Sequence, residues 1–428
     1  MIESLEITRF KSIRDQVLDL GRVNLFIGGN GTGKSNILEA VGLVSACLGR
    51  GLGDSDLSNT GVRVTPPELM KSSFKNEDLP RTLELHAHLQ GKVDYKVVLT
   101  SRENDPLLRF VSESSTASGK KIFGRSHRGA KATGVTHADR LDRTRGIWDQ
   151  IKATYDIPAG VDKIYEEISR YKIYMPQTDI LRGRRKGYLN SSPVGNHGEA
   201  LPEAVDTLLD YWRDLKALGR KGKDDQHKIL FNLIDQSLDL VWLPGWASQV
   251  GVEPSTRLMT SRDQEDRAGN KVYFRDRFMH GMRNKLSVYD SSEGTLFLLF
   301  AAIVLSHPEA PRVFALDNVD NGLNPRLTKL LVKQFIKVTN LVAEHNLPFG
   351  AKQVFLTSHN PTSLDAFDLF DDNHRVFVVK RNEKGHTEVD RLEPPKGMAK
   401  EDWEIALGGR NLSQLWLDKA IPHAMGEL

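Results

Sequence analysis

The chain reads as an α/β protein with a phosphate-binding loop near its start, and three observations predict its architecture. A short apolar strand, Val23–Ile27, runs straight into Gly28-Gly29-Asn30-Gly31-Thr32-Gly33-Lys34-Ser35 and then into helical spacing from Asn36. Far downstream a second apolar strand, residues 312–317, ends in an acid, Asp317. Between them lie two stretches of strict alternation and a longer region of helical periodicity, which argue for an antiparallel lobe and a helical one.

The 428 residues allow about two or three domains at roughly 150 residues each, with ample core. A composition of 39% hydrophobic and 27% charged residues, with 35 Gly and 18 Pro, excludes a disordered tail, a collagenous fibre and a disulfide-stapled mini-protein. The net charge of +3 is too mild to announce a nucleic acid by itself. Cys47 is the single cysteine, so no internal disulfide forms and a reducing compartment is expected. Met1 leads into Ile-Glu-Ser-Leu-Glu-Ile with no basic-then-apolar leader, and the apolar run 296–305 falls short of the ~20 residues of a membrane span. The expectation is a cytoplasmic protein without a signal peptide or a membrane partner.

The G-x-x-x-x-G-K-S motif sits between strand and helix, as a P-loop requires. Its glycines let successive backbone N–H groups face phosphate oxygens, and the helix start adds its positive dipole end. Lys34 is placed to reach the β- and γ-phosphates and Ser35 to hold Mg²⁺. Asn30, Gly31, Thr32, Gly33 and Asn36 complete the expected nucleotide-binding set. A chance glycine-rich turn is the alternative, and the full motif in context disfavours it.

Residues 2–10 alternate as a strand, Phe10-Lys11-Ser12 follows, and residues 16–20 form a second strand before the P-loop. This opening resembles the ABC-type ATPases of the SMC, RecF and OLD (overcoming lysogenization defect) group. Asn30 and Asn36 stand where that group usually has asparagine. The resemblance implies a P-loop NTPase of ABC type, with an antiparallel β lobe, an inserted helical lobe and a split nucleotide-binding domain.

The downstream motifs fit it. Asp317, at its strand end, resembles the Walker B acid that orients Mg²⁺. Asn318-Val319-Asp320-Asn321-Gly322-Leu323-Asn324-Pro325 resembles the Asp-Glu-Pro-Glu-Asn-Gly-Leu-His-Pro run of OLD-like members, with changes. Asn324 caps the next helix with Pro325 at its first position, and Leu327, Leu330, Leu331, Ile336, Val338, Leu341 and Val342 form its expected buried face. Ser291-Ser292-Glu293-Gly294-Thr295 resembles the ABC signature. Ser292 and Gly294 would there bind the γ-phosphate of a nucleotide held by a second subunit, giving a homodimer or higher oligomer sandwiching ATP. His359, after the strand 353–357, matches the γ-phosphate-sensing switch histidine. Gln177, after the strand 171–175, matches a glutamine that contacts Mg²⁺ or the attacking water, and equally suits an ordinary turn.

Two departures matter. Asn318 stands where the family usually has the glutamate that polarises water, so slow hydrolysis is expected. Asp320 is the nearby carboxylate that can substitute, or it only caps the following loop. The catalytic set is therefore Lys34, Asp317, Asp320 and His359, and the metal set Ser35, Asp317 and Gln177, with ATP and Mg²⁺ as cofactors.

In the middle, residues 82–89 and 92–101 alternate around Gln90-Gly91 as a hairpin. His86 and His88 share one strand face, which suggests a metal site or, with no third ligand in view, solvated histidines, the reading favoured here. Residues 113–146 are polar, with Lys120, Lys121, Arg125, Arg128, Lys131, Arg140, Arg143 and Arg145, and read as a loop or mobile insertion. Arg182, Arg184, Arg185 and Lys186 form a second basic group, and residues 213–228, interrupted by Asp224 and Asp225, a third. These segments either track DNA or RNA phosphates or are solvated surface. Residues 198–240 are helical without the ~3–4 sustained heptads of a coiled coil, so a compact lobe replaces a long SMC-type arm.

The expected organisation is residues 1–112 as the first half of the ATPase domain, 113–170 as a basic insertion and helical segment, 171–290 as the helical lobe, 291–395 as the second half, and 396–428 as a helical tail. The stretch after His359 leaves no room for the nuclease domain that many OLD proteins carry. The resemblance then implies a switch or sensor that works with a separately encoded effector, commonly a nuclease, in bacterial anti-phage defence. A RecF-like DNA-repair or end-binding ATPase and a non-hydrolysing nucleotide-dependent scaffold are the alternatives.

Overall fold

The computed structural model describes residues 1–49, 51–101, 107–127, 129–132, 135–137, 141–184, 193–221, 225–258 and 269–421. In chain order the strands and main helices are β1 (Ile2–Phe10), β2 (Ile13–Asp19), β3 (Val23–Ile27), α1 (Lys34–Leu48), β4 (Thr82–Leu89), β5 (Val93–Thr100), β6 (Arg109–Ala117), β7 (Lys120–Ser126), β8 (Gly129–Ala132), β9 (Val135–His137), α2 (Ala159–Ser169) and β10 (Lys172–Tyr174). They continue with α3 (Leu201–Lys221), α4 (Asp225–Trp242), β11 (Ala247–Pro254), β12 (Asn270–Asp276), β13 (Lys285–Ser287), α5 (Glu293–Ser306), β14 (Val313–Leu316), α6 (Pro325–Glu344), β15 (Gln353–Ser358), β16 (His374–Arg381), β17 (Thr387–Arg391), α7 (Lys400–Leu407) and α8 (Leu412–Leu417). The chain divides into two compact units. The first comprises Met1–Ile173, Val313–Asn318 and Gln353–Leu428, and the second Tyr174–Arg312 and Val319–Lys352. Among the described residues no helix is long and apolar enough to cross a membrane.

In the first unit, the six-stranded sheet runs β10-β14-β15-β3-β16-β17. β14, β15, β3 and β16 are parallel, and β17 turns back antiparallel to β16 at the edge. β3, β14 and β15 are buried at every position, as strands covered on both faces must be. α1 is buried along almost its whole length and packs on β15 and α2. Tyr171 donates from its hydroxyl to the Leu38 carbonyl at 3.1 Å and meets Phe355 edge-on.

The other sheet is antiparallel, ordered β2-β1-β4-β5-β6-β7-β8-β9. β4 alternates cleanly, with Leu83, Leu85, Ala87 and Leu89 inward and Thr82, Glu84, His86 and His88 outward. Gln353 locks the two sheets together. Its amide donates to the carbonyls of Ile2 and Gly21 at 2.7 and 2.8 Å and accepts from the Ile2 N–H at 2.9 Å.

Much of the loop expected over residues 113–146 is instead sheet: among the described residues, β6 to β9 extend the antiparallel array as far as His137. Ser118 and Gly119 both hold positive φ, 49° and 77°, the conformation of a two-residue hairpin turn between Ala117 and Lys120. Hydropathy misses these strands because polar residues fill core positions and satisfy one another. Glu113 is 1% exposed and Arg125 6%, with Nη2 of Arg125 2.6 Å from Glu113 Oε2. Tyr95 donates its hydroxyl to Glu113 at 2.8 Å and the Ile147 N–H donates at 3.1 Å. Full burial pushes the Glu113 carboxyl above its ordinary range, against the pull of Arg125, Tyr95 and Ile147.

In the second unit α5 is buried from Thr295 to Ser306 on all sides, as an all-round apolar helix requires. It packs on α3, α4 and α6. A three-stranded antiparallel sheet, β11-β12-β13, has no counterpart in the sequence reading. Asn324 caps α6 as its sequence predicts, its side chain accepting from the Leu327 N–H at 2.9 Å. The buried face of α6 is narrower and shifted from the expected one. Leu331, Val338 and Val342 are buried with Thr328, Val332, Phe335 and Thr339, whereas Leu327, Leu330, Ile336 and Leu341 are half-exposed. Thr339 reaches a core position because its hydroxyl donates back to the Phe335 carbonyl at 2.9 Å.

The Glu113–Arg125 pair generates a stability prediction. Arg125→Met leaves a buried carboxylate without its partner, and is expected to cost about 3–5 kcal/mol in urea unfolding. The deficit should shrink as the pH falls, since protonating Glu113 removes the unmatched charge. An Arg125→Met protein as stable as the parent at neutral pH would show that the pair carries no such role.

Candidate nucleotide-binding site

β3 delivers the chain to residues 28–33, and α1 begins at Lys34. Gly33 adopts φ 107°, and a Cβ there would sit 2.2 Å from Thr387 Oγ1. At Gly28 the limit is steric alone, because a Cβ would meet the Val379 carbonyl at 2.1 Å. Lys34 is 5% exposed, and its ammonium donates to the carbonyls of Gly28 and Gly29 at 2.9 and 2.7 Å. It also lies 3.3 Å from His359 Nδ1, a donor contact that fits the imidazole tautomer protonated on Nε2. Asn30 and Gly31 are exposed at the loop tip.

Asp317 follows β14 directly, and both of its oxygens are engaged. Ser35 donates its hydroxyl to Oδ2 at 3.0 Å, and Thr357 donates to Oδ1. The Asn318 N–H donates to Thr357 Oγ1 at 2.8 Å. Register explains the meeting: Leu316 pairs with Leu356 and Ser358 with Ile27, so three parallel strands end level with one another. A carboxylate beside a hydroxyl is a hard-oxygen donor pair, which fits Mg²⁺ and would hold it against phosphate oxygens.

Phe10-Lys11-Ser12 acts as a clamp on this loop. Ser12 Oγ lies 2.7 Å from Thr387 Oγ1 and accepts from Asn36 Nδ2 at 2.7 Å, while Thr387 donates to the Thr32 carbonyl at 2.8 Å. Lys11 pairs with the buried Glu39 of α1, which also takes Arg63. Burial lowers the Lys11 ammonium from its ordinary range, and Glu39 opposes that shift. Beside the clamp a cavity of about 470 Å³ is lined by five cations, Lys11, Arg63, Lys71, Lys75 and Arg381. Thr357, Thr387, Glu39 and Arg63 were not singled out from the sequence. Nothing in their local sequence marks them, because each acts through a partner on another element.

Lys34, Ser35, Asp317 and His359 thus come together within the first unit, whereas Gln177, Ser292, Gly294 and Asp320 belong to the second. Ser292 caps α5, accepting from the Thr295 N–H at 3.3 Å and lying 2.6 Å from Thr295 Oγ1. Trp246 donates to the same threonine hydroxyl at 3.0 Å. A Cβ on Gly294 would come within 3.0 Å of the Gly322 carbonyl, so the signature turn and the loop after β14 approach closely. Gln177 is exposed, its N–H donating to the His197 carbonyl at 3.0 Å and its carbonyl accepting from Ile180 at 3.0 Å. Asp320 is half-exposed, and its carbonyl accepts from the Leu323 N–H at 3.2 Å.

Among the described residues, several cations of the basic segments are engaged by acids or carbonyls. Arg125 is buried against Glu113, which removes it from the nucleic-acid candidates. Arg145 pairs with Asp149, Arg184 with Asp179, Arg213 with Asp210 and Lys228 with Asp225. Arg182 donates to the Ser291 carbonyl at 3.0 Å, and Arg143 to the Phe110 carbonyl at 3.2 Å. Lys120, Lys121 and Lys131 are exposed. Arg128, Arg140, Arg185, Lys186 and Asp224 lie outside the described residues.

Among solved structures, an SMC head bound to the C-winged helix domain of ScpA resembles the chain with a TM-score of 0.52 at 15% identity, covering 93% of this chain and 99% of that one. An SMC head with an extended coiled coil, bound to the C-terminal domain of ScpA and derived from Pyrococcus furiosus, gives 0.49 at 13% identity over 95% and 99%. The SMC head domain from Thermotoga maritima gives 0.41 at 14% identity over 92% and 99%. At these identities the first likeness speaks for the fold, and the two looser ones add no argument. Comparison with curated proteins yields no match. A family model described as AAA domain, putative AbiEii toxin, Type IV TA system matches residues 23–365, most of the chain and both halves of the site. With the P-loop, the acid at the end of β14 and this match in place, the chain belongs to that AAA-domain family of ATPases and carries the ABC-type P-loop fold of SMC heads.

Proposed function

We propose that the chain is an ATP- and Mg²⁺-dependent switch that dimerises around the nucleotide, hydrolyses it slowly, and works in the cytoplasm with a separately encoded effector in anti-phage defence. The observation that carries the nucleotide part is the linkage of Ser35, Asp317 and Thr357 beside the Lys34–His359 contact. Lys34 supplies charge for the β- and γ-phosphates, Ser35 and Asp317 supply oxygens for the cation, and His359 sits where a γ-phosphate is sensed. Ser292 and Gly294, at the start of α5, offer a helix N-terminus to the nucleotide of a second subunit. The defence role rests on the resemblance to OLD-like ATPases and on the toxin named in the matched family's description.

Slow turnover follows from Asn318. It is exposed and holds φ 57°, a left-handed conformation that asparagine tolerates better than glutamate. Its amide accepts hydrogen bonds but takes no proton at neutral pH. The backbone at this position therefore suits the residue present and opposes the one the chemistry would prefer. Burial of Arg125 against Glu113 withdraws one cation from the RecF-like alternative.

Three measurements test this reading. Lys34→Ala is expected to abolish ATP binding in calorimetry, and affinity retained within a factor of a few would end the P-loop assignment. Ser292→Arg should keep nucleotide binding while blocking ATP-dependent dimerisation in light scattering; an unchanged dimer means that the subunits meet through another surface. In single-turnover hydrolysis the parent should be slow and Asp320→Asn slower still. Asn318→Glu should exceed Asn318→Gln, its control for backbone strain, by up to the about 10²–10⁴-fold of a positioned acid–base group. Brisk turnover in both the parent and Asp320→Asn removes Asp320 as the base, and no gain from Asn318→Glu removes the account of Asn318.

A further inference from the structure

The outer face of the antiparallel sheet carries a cluster that the nucleotide chemistry does not use. His86 and His88 project outward from β4 with their ring centroids 4.1 Å apart. The strand on one side, β1, places Glu6 directly opposite His86, and the strand on the other, β5, places Asp94 directly opposite His88. Glu6 lies between the imidazoles, with Oε2 3.5 Å from His86 Nδ1 and Oε1 3.2 Å from His88 Nε2. Asp94 Oδ1 is 2.6 Å from His88 Nδ1 and 3.9 Å from His86 Nε2. Thr116 donates its hydroxyl to the other Asp94 oxygen at 3.2 Å.

We propose that Glu6, His86 and His88 bind a divalent transition-metal ion of the zinc type, with Asp94 orienting His88 and a fourth position open to solvent. One ligand atom from each of the three lies within 4.8 Å of the others. Ligands on a tetrahedral zinc with bonds of about 2.0–2.1 Å stand about 3.3–3.4 Å apart, so rotamer-scale adjustments close the shell. Two imidazoles with one carboxylate favour zinc over magnesium or calcium, which prefer oxygen alone. Asp94 lies against Nδ1 of His88 and Glu6 against Nε2, so a proton on Nδ1 gives the carboxylate–histidine–metal arrangement of bound sites.

A plain cross-strand ion-pair cluster is the competing account. Against it stand two imidazoles packed side by side with one carboxylate shared between them, three ligand atoms converging where an ion pair needs a single histidine. Lys96, cross-strand from His86, faces Glu84, itself paired with Arg9, so the neighbouring charges on this face are largely matched.

The test titrates the nucleotide-free, full-length chain with Zn²⁺ alone by calorimetry, on either side of the ordinary imidazole pKa of about 6.5. The expected result is one zinc per chain above that pH and much weaker binding below it, since protons compete for both imidazoles. H86A/H88A should lose affinity by more than about 100-fold, and Asp94→Asn by about 10-fold. Glu6→Gln, which keeps the shape of the side chain, should also weaken binding by at least about 10-fold. Zinc should raise the melting temperature of the parent and leave that of H86A/H88A unchanged. Binding of equal strength in the parent and H86A/H88A overturns the proposal, as does a parent that takes up no zinc above the imidazole pKa.

Discussion

A buried aspartate at the end of a strand has to be met by donors, and in this protein two hydroxyls from distant parts of the chain meet it. Asp317 is 8% exposed and accepts from Ser35, 282 positions away, and from Thr357, 40 positions away. Both contacts need β3, β14 and β15 to end level, and their parallel registers give that. Parallel neighbours cannot be joined by a tight turn, so long excursions must leave and return between them. β4 to β9 and residues Tyr174–Arg312 of the second unit lie in the excursion that separates β3 from β14, and Val319–Lys352 lies in the one between β14 and β15. The split organisation of the chain follows from this one site.

The two sheets of the first unit divide the physical labour. The parallel sheet is covered on both faces and presents chemistry only at its strand ends, where the P-loop, Asp317 and His359 stand. The antiparallel sheet buries one face and leaves the other polar. Cross-strand neighbours on such a face fall within contact distance, which is how Glu6, His86, His88 and Asp94 converge without any shared sequence motif. Gln353 couples the sheets by giving its amide to the backbone of both.

Polar side chains in buried positions recur where elements join. Ser12, Asn36 and Thr387 fasten the Phe10-Lys11-Ser12 turn, α1 and β17 around the phosphate loop. Glu113 and Arg125 fasten β6 to β7, and Arg125 reaches the Asp142 carbonyl at 2.9 Å. Each cluster is fully partnered, which turns a costly burial into a specification of register. Such clusters bind distant segments more selectively than apolar contacts do, because a slipped register would orphan the donors.

Local signals carried much of this protein in its sequence. The P-loop, the cap at Asn324, the β4–β5 hairpin, the helical region 198–240 and the acid after β14 each depend on a few adjacent residues, so they are legible. The match of Asp317 with Ser35 was anticipated from family motifs, whereas Thr357, Thr387 and Glu39 were not, since each shows its role only through a partner on another element. β6 to β9 were read as loop because Glu113, Ser115 and Arg125 break the apolar alternation that marks a strand, and β11 to β13 went unread. His86 and His88 were visible as a pair. Glu6 stands far from them in the sequence, and no local pattern marks it or Asp94 as their partner. Sequence determines which residues a turn, cap or strand will contain, because those depend on short-range backbone geometry. Only the tertiary structure decides which strands lie side by side, because register is a property of two distant segments satisfying each other's hydrogen bonds.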